Sequence, residues 1–151
     1  MIRNIFGTSS VPTLLCRLAV GLVFLSEGIQ KYVRPMEVGT GRFEKIGFSD
    51  PAFWAYFTGS FEIVCGILIL FGLFTRLAAI PLLIIMITAF VTTKIPALDK
   101  GFWAFAHDYR TDFAMTLLLI FLLIYGGGKF SLDRKIFRNF KATGYEKYKL
   151  Q

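Results

Sequence analysis

The chain has 151 residues, 55% of them hydrophobic and 17% aromatic, and a mean hydropathy of +0.60. That is far more apolar than a water-soluble domain of this size and points to one small membrane domain. A net charge of +7 would suggest a nucleic-acid partner in a soluble protein. Here the Lys and Arg residues flank apolar runs, so a groove-binding patch is excluded and no nucleic acid is expected.

Four apolar runs follow in chain order, over about 12–33, 51–73, 76–95 and 108–126. Each approaches the ~20 residues that cross a hydrocarbon layer of ~30 Å. The first is not a cleaved signal peptide, because no small-x-small site follows it and the run continues into Lys31. Residues 34–50 form a polar loop, residues 74–75 leave room only for a tight turn, and residues 96–107 form a third connection. Gly39 and Gly41 in "GTG" mark loop flexibility and not a phosphate cradle, since no strand precedes them. No internal repeat is visible.

Beyond the fourth run, "SLDRKIFRNFK" predicts an amphipathic helix lying on the membrane surface. Ser131 serves as its N-cap, and Leu132, Ile136, Phe137 and Phe140 lie opposite Arg134, Arg138 and Lys141. The expected fold is therefore all-α: an integral membrane bundle of four transmembrane helices over 1–126, then a basic amphipathic tail over 127–151. Ten of the 17 basic residues fall on the side that holds both termini, which places those termini in the cytoplasm.

The charged residues inside the runs are the candidate site. Glu27 and Lys31 lie one turn apart on the first run and can neutralise one another. Glu62 lies near the middle of the second run with no base on its own helix, so its partner must come from elsewhere, Lys31 or Arg17. Gly59 and Gly66 flank Glu62, and Arg17, Gly21, Phe24, Gly28 and Lys31 share one face of the first run. Small residues on both faces predict close packing of these two helices. Asp108, Asp112 and Thr116 recur every four residues on the fourth run. Arg17, Glu27, Lys31, Glu62 and Asp112 thus converge from several depths, either as an ion-pair network that fixes helix packing or as a polar pocket that exchanges protons. A purely structural pair predicts that Glu62→Gln costs much stability, whereas a protonatable acid facing a pocket, the expectation here, predicts that it costs little and abolishes ligand binding.

Other chemistries lack support. Cys16 and Cys65 form no C-x-x-C motif, His107 has no metal-ligand spacing around it, and no helix offers a histidine to haem. Metal, haem and nucleotide motifs are therefore not found.

The stretches "RLAVGLVFLSEGIQKY", "GSFEIVCGILILFGLFTRLAA" and "GGGKFSLDR" together resemble the DoxX-like family of small four-helix bacterial membrane proteins, over about residues 13–134. By position the resemblance picks out Arg17, Gly21, Gly28, Lys31, Glu62, Gly66, Gly72, Thr75 and Arg76, and the end motif Ser131 to Arg134. Cys65 departs from it, standing where the family often has glycine, and Glu27 occupies a variable position. The resemblance implies a bacterial inner-membrane protein in the lipid bilayer, associated with redox partner proteins. Its expected role is a quinone- or lipid-interacting subunit of a membrane redox system, whether catalytic or accessory, and a quinone is the lipophilic small molecule that the pocket would suit. A small transporter or permease-like protein and a structural or assembly partner are the alternatives. A transporter should show inverted repeats or broken helices, and only Pro81 hints at a break.

Overall fold

A computed structural model describes residues 11–96, 99 and 101–136, and among these every regular element is helical. Helix α1 is Val11–Val33, α2 Thr40–Ile46, α3 Pro51–Phe71, α4 Thr75–Ala89 and α5 Phe102–Tyr125. A π-helical turn, Phe90–Lys94, extends α4. Residues 132–136 begin a last helix, and the remainder of the expected surface helix, with Phe137, Arg138, Phe140 and Lys141, lies outside the described residues.

Among the described residues three helices are long and apolar enough to cross a membrane: Val11–Val33, Pro51–Phe71 and Thr75–Lys94. The fourth long helix differs from expectation. It starts at Phe102 and not near 108, so His107, Asp108, Arg110 and Asp112 belong to its first half. The 34–50 segment also departs from a plain loop, because Thr40–Ile46 folds into a short helix that ends at Gly47.

Antiparallel α1 and α3 make the most extensive contact, α4 packs on both α3 and α5, and α5 returns to α1, which closes a ring of four helices. A Cβ on Gly28 would lie 2.8 Å from the Gly59 carbonyl oxygen, and one on Gly66 would lie 3.1 Å from that of Gly21. Backbones can approach this closely only where side chains are missing. The α3–α4 turn is equally tight. Gly72, at φ 67°, ends α3 by returning its N–H to Ile69 while Leu73 returns its own to Leu68.

The interior is narrow. Val20, Phe24, Ile69, Ala79, Leu82, Leu119 and Leu122 form its apolar core, whereas Leu22, Val64, Ile84 and Leu117 are more than half exposed on the outer faces. Such an outer surface suits a lipid solvent and not water. Pro81 is accommodated within α4, and the irregular backbone falls later, at the π turn.

Candidate functional site

All four long helices and α2 surround one cavity of about 260 Å³ at the end of the bundle where α1 finishes and α3 begins. Phe24, Phe43, Phe48, Trp54 and Phe57 supply aromatic walls, while Glu27, Lys31, Arg42, Glu62 and Asp112 contribute charge. An apolar enclosure with a few converging polar groups is the usual form of a small-molecule site.

Within this wall Lys31 donates from Nζ to Glu62 Oε2 at 2.5 Å, with both side chains about nine-tenths buried or more. The pair crosses the glycine-lined α1–α3 seam, since Gly28 and Gly59 bring the two backbones within reach of one another. Glu62 thus takes its counter-ion from another helix, as its isolation in α3 requires. Glu27 does not pair with Lys31 on its own helix. It is half-buried, lines the cavity and has no ion pair or hydrogen bond with any described residue. The i, i+4 neutralisation expected from spacing gives way because a buried carboxylate needs the same ammonium more than a half-buried one does.

Asp112 faces the cavity from α5, and its partner is a residue that the sequence reading passed over. Lys94, at the end of the π turn, forms an ion pair with Asp112 Oδ2 at 3.2 Å and donates to Asp108 Oδ2 at 2.9 Å and to the Asp108 carbonyl at 3.1 Å. The signal was available: two acids one turn apart on one helix, and a lysine closing the preceding apolar run. Arg42 was also missed, because a short helix inside a polar loop gives no pattern that would point its side chain at a cavity.

Arg17 lies elsewhere. It is 2% exposed at the opposite end of the bundle and does not line the cavity. Its guanidinium donates to the carbonyls of Ile69, Leu70, Gly127 and Phe130, at 2.9, 2.6, 3.1 and 3.2 Å. A planar fork of donors satisfies the orphan carbonyls that end α3, a task that outcompetes pairing with a distant carboxylate. Arg76 does the same for α5, donating to Ile124 O at 2.8 Å. Asp133 reaches back to accept from the N–H groups of Phe74 and Thr75, at 2.9 and 3.4 Å, and so caps α4. Ser131 is buried and accepts from Arg134 N–H, the N-cap geometry expected of it. The family-motif positions therefore divide by place. Gly21, Gly28 and Gly66 are in the α1–α3 seam, and Gly72, Thr75 and Arg76 are in the clasp at the end opposite the cavity.

Cys16 and Cys65 are free thiols, and among the described residues no three His, Cys, Asp or Glu side chains gather to hold a metal ion.

Comparison with known proteins agrees with this architecture. A DoxX family model matches residues 13–95. The chain is 52% identical over 141 residues to an uncharacterized membrane protein of Mycobacterium tuberculosis, covering 88% of this chain and 86% of that one. It is 30% identical over 131 residues to CatD of Bacillus subtilis, provisionally named an oxidoreductase, covering 87% and 91% of the two chains. An uncharacterized protein of Haemophilus influenzae is 30% identical over 122 residues, with 81% and 88% covered. No solved structure matches. Helical architecture, membrane-length apolar segments and these matches agree, and the chain belongs to the DoxX family of membrane proteins.

Proposed function

We propose that the cavity binds a quinone-type lipophilic ring, and that the chain is a membrane subunit of a redox system that hands electrons to or from that ring. The observation that carries this reading is the Lys31–Glu62 pair set in an otherwise aromatic and aliphatic wall. A ring with polar oxygens needs an apolar sleeve for its body and fixed donors and acceptors for its ends. Lys31 has N–H groups beyond the one given to Glu62, and Glu62 and Asp112 are carboxylates that can exchange protons with the ring as it passes electrons to or from a redox partner protein. The oxidoreductase name of the Bacillus relative supports the same class of role.

In this reading all four long helices span the bacterial inner membrane over residues 1–126, with the basic 127–151 segment at the cytoplasmic surface and both termini inside. Arg17, Arg76, Lys129, Arg134 and Lys135 all lie on the side opposite the cavity mouth, the asymmetry expected of a cytoplasmic face. The cavity then opens toward the outer leaflet. Arg17 belongs to the cytoplasmic clasp and not to the ligand pocket.

The test is to purify the protein in nanodiscs and identify co-extracted lipophilic molecules by mass spectrometry. Trp54 lines the cavity and Trp103 does not, so Trp103→Phe leaves a single reporter there. Decyl-benzoquinone should quench Trp54 saturably, and Glu62→Gln or Lys31→Met should abolish the saturable part. Extraction of phospholipid alone, with quenching that rises linearly as for empty nanodiscs, would overturn the assignment.

A further inference from the structure

One wiring scheme is used twice. In the first half, Arg17 near the start of α1 holds the carbonyls that end α3, and Lys31 near the end of α1 pairs with Glu62 inside α3. In the second half, Arg76 at the start of α4 holds the carbonyl of Ile124 near the end of α5, and Lys94 beyond the end of α4 pairs with Asp112 inside α5. Even the terminating glycines correspond: a Cβ on Gly72 would meet the Arg17 guanidinium, and one on Gly126 would meet Arg76 Nε at 3.2 Å. The two halves share single residues and not a sequence pattern, which is why no repeat is visible in the chain. The acid lies 10 residues before its glycine in the first half and 14 in the second. Four residues of α-helix advance roughly 6 Å, so the second pair sits one turn nearer the mouth.

The two pairs differ in what they offer a ligand. Lys31 uses one hydrogen bond, to Glu62 Oε2, and both residues line the cavity with hydrogen-bonding capacity to spare. Lys94 donates to Asp108 O and Asp108 Oδ2, forms an ion pair with Asp112 Oδ2 and does not line the cavity. Only Asp112 is presented there, and an ionised carboxylate held by an ammonium accepts hydrogen bonds without donating any. Glu27, without an ion partner among the described residues, adds a further acceptor, against Arg42 at the exposed rim.

We infer that Asp112, held by Lys94, is a second polar subsite of the cavity, and that it selects a ring carrying a hydroxyl at its outer end, so that the dihydroxy form binds in preference to the dione. This rests on the ring-binding role proposed above. The inner oxygen is served by Lys31 or Glu62 in either form, whereas an outer oxygen set against Asp112 is satisfied there only when it carries a proton. A carbonyl at that position would face a carboxylate oxygen, and two acceptors in contact repel.

Calorimetric titration of the protein in nanodiscs under anaerobic conditions tests this, with empty nanodiscs as the blank. The probes are decyl-hydroquinone, decyl-benzoquinone and the dimethyl ether of the hydroquinone. The hydroquinone should bind about tenfold more tightly than the other two, the loss expected from one charge-assisted hydrogen bond. Asp112→Asn supplies an amide donor and should erase or invert that preference, while Asp112→Glu should retain it. Lys94 keeps Asp108 in these variants. If the parent protein binds the dione as tightly as the dihydroxy form, the subsite assignment fails while ring binding stands. If none of the three probes binds, ring binding itself fails. The comparison of probes on the parent protein decides the matter even if the Asn variant does not fold.

Discussion

Gly28 and Gly59 face each other across the α1–α3 seam so closely that a methyl group on Gly28 would sit 2.8 Å from the Gly59 carbonyl oxygen and 2.8 Å from Ile63. This proximity is what lets Lys31, one turn further along α1, meet Glu62, one turn further along α3. Gly28→Ala should therefore push the helices apart and lower stability in detergent by about 1–3 kcal/mol, an overpacking cost. Gly59→Ala, whose added carbon meets the flexible edge of Tyr32 at 3.1 Å, should cost less. Equal midpoints for parent and Gly28→Ala in a thermal unfolding series would contradict the tight seam.

Glu62→Gln removes the counter-ion of an ammonium that is only 8% exposed. Breaking one partner of a buried pair typically costs about 3–5 kcal/mol, so this variant should be strongly destabilised. That differs from what a freely protonating acid in a pocket would do, because the cavity wall and the ion pair are the same two residues. The double variant Lys31→Met with Glu62→Gln removes the stranded cation. It should recover most of the stability while remaining unable to bind ligand, and thermal unfolding beside a binding assay reads both effects.

Asp133 holds the N-terminal N–H groups of α4 and steadies Phe74, whose φ of 47° lies in the left-handed region that a bulky residue seldom adopts. Asp133→Ala should cost about 0.5–2 kcal/mol, the loss of a helix cap. Truncation should show the same dependence. Ending the chain after residue 136 should leave a folded bundle, whereas ending it after Gly126 also removes the Gly127 and Phe130 carbonyls that Arg17 bridges and should give a protein degraded on expression.

For orientation, a reporter active only outside the cytoplasm should be silent when fused after Gln151 and active when inserted near Gly41. The opposite pattern would place the cavity mouth on the cytoplasmic side and reverse the orientation proposed for the chain.

How legible all this was in the chain depends on the kind of signal. Long apolar runs and the glycine faces around Glu62 are periodic, so α1, α3 and their close packing could be read directly. The lone carboxylate in α3 announced a partner from another helix, but Lys31 and Arg17 were equally eligible by sequence. What separated them was the set of unsatisfied carbonyls at the end of α3, a feature of backbone geometry with no residue signature. Lys94 escaped notice for a related reason. On a regular helix its position faces wherever the 100° step sends it, and only the wide turn at Phe90–Lys94 brings it onto Asp112.

That turn makes residue number at this point matter as much as residue identity. A π turn spends about one more residue than an α turn on the same circuit. Deleting one residue of the four before Lys94 would let the helix relax to regular form and leave the lysine on nearly the same bearing, whereas straightening the stretch at its full length would swing the ammonium by roughly 100° about the axis. Asp108 and Asp112 would then lose their cation. The stretch should therefore tolerate the loss of one residue, which a regular turn absorbs, and reject the gain of one, which turns the lysine away, so the direction of a length change marks the boundary of what this segment can vary.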